Sequence, residues 1–391
     1  MLAFQRNKEE EVREKNLRTI FKVTNVPEDT QMREVLDNLN PDGLENVFSD
    51  YFSNLQKDKI LENYRFLDKA YLVSIDGSEY FSSDKICCPC CLTRTSSETK
   101  KTRYLHQILQ AVLIHPNQKH IIPLAPEQIK NEDGMLKQDC ELNAGKRMLS
   151  KIRQVHPKLK IIITADGLYP RNSFISELEK NKMSFIIRVK EDGNKEVFSW
   201  VEEIRRLDGM NKMQVDKGKG VIWYYEWTNG IPLTAKKDSK IVNYAELKIF
   251  NPKAQKKPIT FSGQWVTDIE ITKENVEDIA AGGRARWKIE NECFNTLKNH
   301  GYELAHNYGH GQKNLSYNFF LLNLLAFFIH EIFSLTDERY QEMRTYAGTR
   351  REFWIRVYQM FLMFDFNNWD QMLDVMIGFK NKTVKAQLIY T

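Results

Sequence analysis

Residues 159–167 read LKIIITADG, and residues 71–77 read YLVSIDG. Each is an apolar run that stops at an Asp-Gly pair. A strand with one wet face alternates polar and apolar side chains. The run before Asp166 does not alternate, so it belongs in the middle of a sheet covered on both faces by helices. Asp-Gly is a turn pair, and the first run therefore reads as a buried strand ending at Asp76.

Working outward, strand-like runs follow at 104–109, 111–115 and 120–124. A helix is expected over 140–153, with Leu142, Met148, Leu149 and Ile152 toward one side. Asn172 or Ser173 is a candidate cap for the next helix, which carries Phe174, Ile175 and Leu178; Phe185, Ile186, Ile187 and Val189 make another strand. The order of the core is three strands, helix, strand, helix, strand. Residues 1–70 are charged and helix-prone, a lead-in with DNA binding as one role, and the core begins in 71–193. Residues 194–262 loosen into Tyr- and Trp-rich runs between Lys- and Gly-containing turns, a β-rich insertion. The core resumes over 263–335, with QWVTD at 264–268 as a return strand and helices from about 272 onward, and 336–391 is a helical C-terminal segment. The chain is thus α/β, a mixed sheet flanked by helices.

Composition narrows the class. The 391 residues are 42% hydrophobic and 28% charged, which excludes disorder and collagen. The most apolar stretch, 319–332, is interrupted by Asn323, His330 and Glu331 and reads as a buried helix rather than a membrane span. The start MLAFQRNKEEEVREK turns charged where a secretory signal needs an apolar region, so a cytoplasmic location is expected. The formal net charge of +5 permits a polyanionic partner without requiring one.

Two acids at the ends of neighbouring strands would repel, and one would take up a proton unless a divalent cation compensates. Oxygen ligands of this kind suit magnesium or manganese. A third acid comes from the helical stretch RARWKIENECFNTLK, residues 284–298. At about 100° per residue, Arg286, Ile289, Glu290, Cys293, Phe294 and Leu297 share one face, whereas Lys288 and Glu292 fall outside it as an exposed ion pair. Glu290 on an apolar stripe needs a cation, either Arg286 one turn earlier or a metal.

These residues carry a resemblance. IDGSEYF around Asp76, ITADGLYPRNSFISEL with FIIRVK around Asp166, and WVTD with GRARWKIENECFNTLKNHGYELAHNYGHG around Glu290 resemble the DDE transposases of bacterial insertion sequences. The resembling group has a third-acid helix with a Tyr, Arg, Glu, Lys signature on a ribonuclease H-like core. The resemblance implies that Asp76, Asp166 and Glu290 are catalytic and bind two magnesium (or manganese) ions, that Arg286 and Lys298 contact DNA phosphates, and that Trp265 stacks on a flipped base where cleavage passes through a hairpin. It also implies cleavage of element ends, strand transfer into target DNA, a double-stranded DNA partner, work on the bacterial nucleoid and at least two copies in the joining complex. Two positions depart from the signature. Gly283 stands where it has tyrosine, and Lys298 lies one residue farther from Glu290 than it should. A π-bulge would absorb the extra residue; otherwise Glu292 is the acid.

The cluster Cys87, Cys88, Cys90, Cys91 contains two overlapping C-x-x-C pairs. A structural zinc would use Cys88 and Cys91 with His106 and Cys140; the alternative is a Cys-rich hairpin between two core strands. Core packing is the competing reading of Trp265, and His306 and His310 read as loop histidines. Lys217, Lys219, Lys256 and Lys257 form basic turns, solvated or in contact with phosphate. A DNA-binding relative without activity and a nuclease of the same fold without strand transfer are the rival functions.

Overall fold

The computed structural model describes residues 11–131, 139–254, 258–306 and 309–381; Lys256 and Lys257 lie outside them. The chain first forms β1 (Arg65–Phe66), β2 (Ala70–Ser83), β3 (Leu92–Thr95), β4 (Thr102–Ile114), β5 (Ile122–Pro123) and β6 (Glu127–Ile129). The helix Glu141–Val155 then leads into β7 (Ile161–Ala165), and the helix Asn172–Lys180 leads into β8 (Ser184–Arg188). β4 runs antiparallel to β2 on one side, and β7 runs parallel to it on the other, followed by parallel β8. β3, β5 and β6 pair with the outer side of β4. This mixed sheet, in which β2, β7 and β8 are parallel, the last two reached through helices, while the long β4 is antiparallel to β2, is ribonuclease H-like. Parallel neighbours need such crossovers, and the fully buried β7 has the uninterrupted apolar character they impose.

Residues 194–262 extend this sheet. After the helix Lys195–Arg206 come β9 (Asn211–Asp216), β10 (Ile222–Pro232) and β11 (Ile241–Phe250), and β12 (Ile259–Thr267) closes the series against β8. Order β12-β11-β10-β9 continues outward from β8, all antiparallel. The edge that β8 would otherwise expose is thereby covered.

Several local expectations change. β2 does not stop at Asp76-Gly77; it pairs with β4 continuously from Leu72 to Glu79 and, past a bulge, to Ser83. The runs 104–109 and 111–115 are one strand, because the intervening Gln110 is buried with its amide donating to the carbonyls of Ala111 (2.7 Å) and Leu124 (2.8 Å). The run 120–124 contributes only the two-residue β5. Neither Asn172 nor Ser173 caps its helix; Arg171 stands at the N-cap, and the Asn172 side chain instead accepts from the Lys240 amide at 3.3 Å.

The helix Leu315–Thr336 is long and apolar enough to cross a membrane by length and composition alone. Here it fills the core with Phe320, Leu321, Leu324, Phe327 and Phe328, and Phe48 of the helix Asp42–Lys57 stacks on Phe328. The described residues 11–70 divide between two cores. The helices Asp29–Asn38 and Asp42–Lys57 pack with Leu315–Thr336, whereas Glu11–Thr19 docks on the C-terminal helices. Its Asn16, fully buried, donates to the carbonyls of Phe361 and Phe364 and accepts from the Phe366 amide. Helices Glu338–Ala347, Arg350–Met363 and Trp369–Lys380 build a second apolar cluster around Tyr340, Phe353, Met360, Met372 and Leu373.

The two cores meet at Glu331, which is 1% exposed. Its carboxylate accepts from His120 Nδ1 (2.9 Å) and the Ile121 amide (3.3 Å) on the sheet side and from Arg350 on the C-terminal side. Removing one member of a buried ionic cluster strands the others without partners. Glu331→Ala is expected to lower stability by about 3–5 kcal/mol in urea unfolding.

Candidate active site

Strand register brings the first two acids together. Tyr71 to Ser74 pair with Ile161 to Thr164, and the same register carried two residues further sets Asp166 beside Asp76. Because side chains alternate across a sheet, Ser74, Asp76, Thr164 and Asp166 share a face. β7 ends at Ala165 while β2 continues to Ser83, so β2 loses its parallel neighbour at the level of Asp76. That gap at the carboxyl ends of parallel strands is where α/β sheets place their ligands.

The third acid arrives from above that face. The helix Val276–Ala285 lies across β7, β8 and β10 to β12, and Ser74 Oγ donates to the Arg286 carbonyl at 3.4 Å. Arg286 is 8% exposed and forms two ion pairs, with Asp76 Oδ2 at 3.1 Å and with Glu290 Oε1 at 2.8 Å. Asp76 and Glu290, 214 positions apart, therefore share one guanidinium. Arg286 is not an open phosphate contact in this structure; it is the internal counter-charge of the acids. Lys288 does not pair with Glu292 either, since its ammonium donates to the Gln118 carbonyl.

Residues Ile289–Phe294 form a π-helical segment between Glu290 and Lys298. A π turn takes up one extra residue. Eight steps with one absorbed return Lys298 to within about 20° of the Glu290 face, as seven α-helical steps would. The spacing anomaly is thus resolved by the backbone itself. The Lys298 ammonium lies over the Phe294 ring, 5.9 Å from its centroid.

Gly283 and Trp265 are complementary. A Cβ at 283 would overlap the Trp265 indole. Trp265 is 1% exposed and stacks with Phe261, so it packs the core and offers no face to a flipped base. The indole fills the space above residue 283 that a side chain there would need. The exposed indole of the acid helix is Trp287, at 58%.

A fourth carboxylate was not anticipated. Glu141 opens the helix Glu141–Val155 and reaches toward Asp76 over Gly77, where any Cβ would collide with its carboxylate. Gly77 leaves open the space that the Glu141 carboxylate occupies, and the chain runs straight through it as strand. Glu141 Oε1 accepts from the buried Tyr169 hydroxyl at 2.8 Å. Burial, and then the neighbouring Asp166, raises the Glu141 carboxyl above its usual range, although the Tyr169 bond opposes this. Burial pushes Asp76 up to about 7 despite Arg286, and Glu141, Glu290 and Asp166 add to the rise. Asp166 accepts from the Leu168 amide at 2.9 Å, and the stem of Lys190 lies against Gly167. Three acids thus crowd Asp76, and one arginine pairs with Asp76 and Glu290.

The cysteine cluster is only partly as expected. Cys88, Cys91 and His106 come together, but Cys140 is exposed at the N-cap of Glu141–Val155, and His310 takes the fourth place. His306 is exposed and outside this group. Lys217 is paired with Glu277 at 2.9 Å.

Residues 137–328 match the transposase DDE domain. This part of the chain is a transposase DDE domain. The match contains Glu141, Asp166 and Glu290 and begins after Asp76. No curated protein matches the sequence. Among solved structures, a piggyBac transposase synaptic complex with hairpin DNA aligns over 78% of this chain at 12% identity, with a TM-score of 0.37. The present chain covers 54% of that one, about half its length.

Two outcomes are expected. Gly283→Ala overpacks against Trp265 and should cost about 1–3 kcal/mol in thermal or urea unfolding, less in a Trp265→Ala background. An acid whose carboxyl is raised in the folded state keeps its proton where the unfolded chain has lost it, so its contribution to stability falls as pH rises from the ordinary carboxylate value toward about 7. In chelator, the wild-type chain should therefore lose stability relative to Asp76→Asn across that window, as read by paired thermal melts.

Proposed function

We propose that this chain is a metal-dependent DNA transposase that binds the ends of its element, cuts the DNA and joins the 3′ ends to a target. The observation that carries the reading is the convergence of Glu141, Asp166 and Glu290 on Asp76, with Arg286 paired to Asp76 and Glu290. Burial first, and then the neighbouring acids, hold Asp76 and Glu141 back from ionisation, and hard divalent cations relieve this. The donor set is all oxygen, which fits magnesium or manganese and not zinc.

Asp76, Asp166 and Glu290 would hold the ions, two in number by the family resemblance. When bound, such ions lower the pKa of a coordinated water or 3′-hydroxyl and stabilise the leaving oxygen at phosphorus. The chain's own residues do the positioning. β2 and β7 fix the two aspartates in register, and the helical stretch through Arg286 fixes Glu290 relative to Asp76. Arg286 holds Asp76 and Glu290 in place before any ion arrives. Glu141, anchored by Tyr169, strengthens the negative field from the far side of Gly77. Lys190 and Lys298 supply positive charge beside the acids for a DNA backbone. Cleavage and joining can use one site because only the nucleophile changes. Joining two ends requires at least two copies of the chain around the DNA, the kind of assembly named in the piggyBac synaptic complex.

The test uses DNA carrying the element's ends in magnesium. Asp76→Asn, Asp166→Asn and Glu290→Gln should each lower cleavage by about a thousandfold or more while end binding persists. Glu141→Gln should raise the magnesium requirement by about tenfold, and Glu292→Gln should change nothing. Normal cutting by Glu290→Gln would remove it from the site. Pre-cleaved ends must give joined products; cut products alone would mean a nuclease, and binding without cutting would mean an inactive relative.

A further inference from the structure

We propose that Cys88, Cys91, His106 and His310 bind one structural zinc ion, which pins the segment following the third-acid helix to the strands beside Asp76. The four ligand atoms lie within 4.8 Å of one another. The Cys88 and Cys91 sulfurs are 3.8 Å apart, and His106 Nε2 is 3.6 Å from each. His310 Nε2 is 3.6 Å from the Cys91 sulfur. A tetrahedron with Zn–S near 2.3 Å and Zn–N near 2.05 Å has S–S edges of about 3.8 Å and S–N edges of about 3.6 Å. These four separations match the edges of such a tetrahedron. The sulfurs are far too distant for a disulfide, which needs about 2.05 Å.

The surroundings support the same ligand. Cys88 and Cys91 close a C-x-x-C turn in which the Cys91 amide donates to the Cys88 carbonyl at 3.1 Å. The Cys88 amide points at the Cys91 sulfur at 3.4 Å, a donor that favours thiolate. Of the two overlapping pairs, this turn selects 88 and 91 and leaves Cys87 and Cys90 outside. Phe81 packs 4.4 Å from the His310 ring and 5.6 Å from His106, which orients both imidazoles. Two thiolates and two imidazoles suit zinc and not the hard cations of the acid site.

The location gives the ion its consequence. His106 lies in β4, the strand paired with Asp76 through Gln110, and Cys88 and Cys91 immediately precede β3. His310 lies between the third-acid helix and Leu315–Thr336. On its other side that segment is held by Asp37, whose carboxylate accepts from the amides of Gln312, Lys313, Asn314 and Leu315 at 2.9–3.0 Å. Zinc and Asp37 together fix the exit from the acid helix.

Metal content tests the inference independently of any DNA chemistry. The full chain, purified without chelator, should carry about one zinc per chain by inductively coupled plasma mass spectrometry. Replacement with cobalt should give the visible bands of a tetrahedral ion and sulfur-to-cobalt charge transfer. His310→Ala should lose the metal. His310→Cys should retain it with increased charge-transfer absorption, which separates loss of a ligand from failure to fold. Cys140→Ser and Cys90→Ser should keep full metal content. A zinc-free chain that gives no tetrahedral cobalt spectrum, or a His310→Ala variant that keeps its zinc, overturns the assignment.

Discussion

The whole arrangement depends on negative charge concentrated where water is scarce. Glu141, Asp166 and Glu290 crowd Asp76, and burial drives its carboxyl up to about 7. Such a cluster is unstable against proton uptake or cation binding, and that instability is its use. A protein built only for stability would replace these groups with apolar ones, because buried ion pairs rarely repay their desolvation. Arg286 makes the cluster tolerable without satisfying it, bonding Asp76 and Glu290 and leaving Asp166 and Glu141 to other partners.

The scaffold is arranged around this concentration of charge. Parallel β2 and β7 deliver two acids in register, and the early end of β7 opens the space beside them. The third acid rides a nearly continuous helical stretch whose π turn corrects the phase of Lys298. Small residues are placed where large groups must approach. Gly77 admits Glu141, and Gly283 admits Trp265, each because a Cβ would occupy the same volume as the incoming side chain. The extended sheet from β9 to β12 brings Trp265 to that position, so the residues between the second and third acids form part of the support for the acid helix.

Away from the acids, polar anchors join segments that are distant in sequence. Glu331 ties the sheet to the C-terminal helices, Asn16 ties the N-terminal helix to them, and Asp37 gathers four amides at the start of Leu315–Thr336. The Cys/His group belongs to this pattern, with soft donors in place of carboxylates. The two clusters differ in donor chemistry, oxygen at one and sulfur with nitrogen at the other, and so suit different ions.

Residue order by itself determined the strand run from 71 that carries Asp76, the strand 161–165 that Asp166 follows, the helix presenting Glu290, and the DDE transposase resemblance. These rest on local periodicity and on motifs read within a few residues. The Lys298 anomaly was legible too, and so was its remedy, because helical phase depends only on count. What sequence left undecided needed three dimensions. Glu141 carried no signal, since its role comes from a helix start meeting Gly77 across the sheet. Asp-Gly at 76–77 looked like a turn, and only pairing with β4 made it strand. His310 replaced Cys140 because ligand choice is set by where loops converge, and Trp265 was buried because Gly283 opposite left room for it. Short-range patterns specify elements. Contacts between elements hundreds of residues apart decide which charges, sulfurs and rings meet, and that is a property of packing that no local pattern encodes.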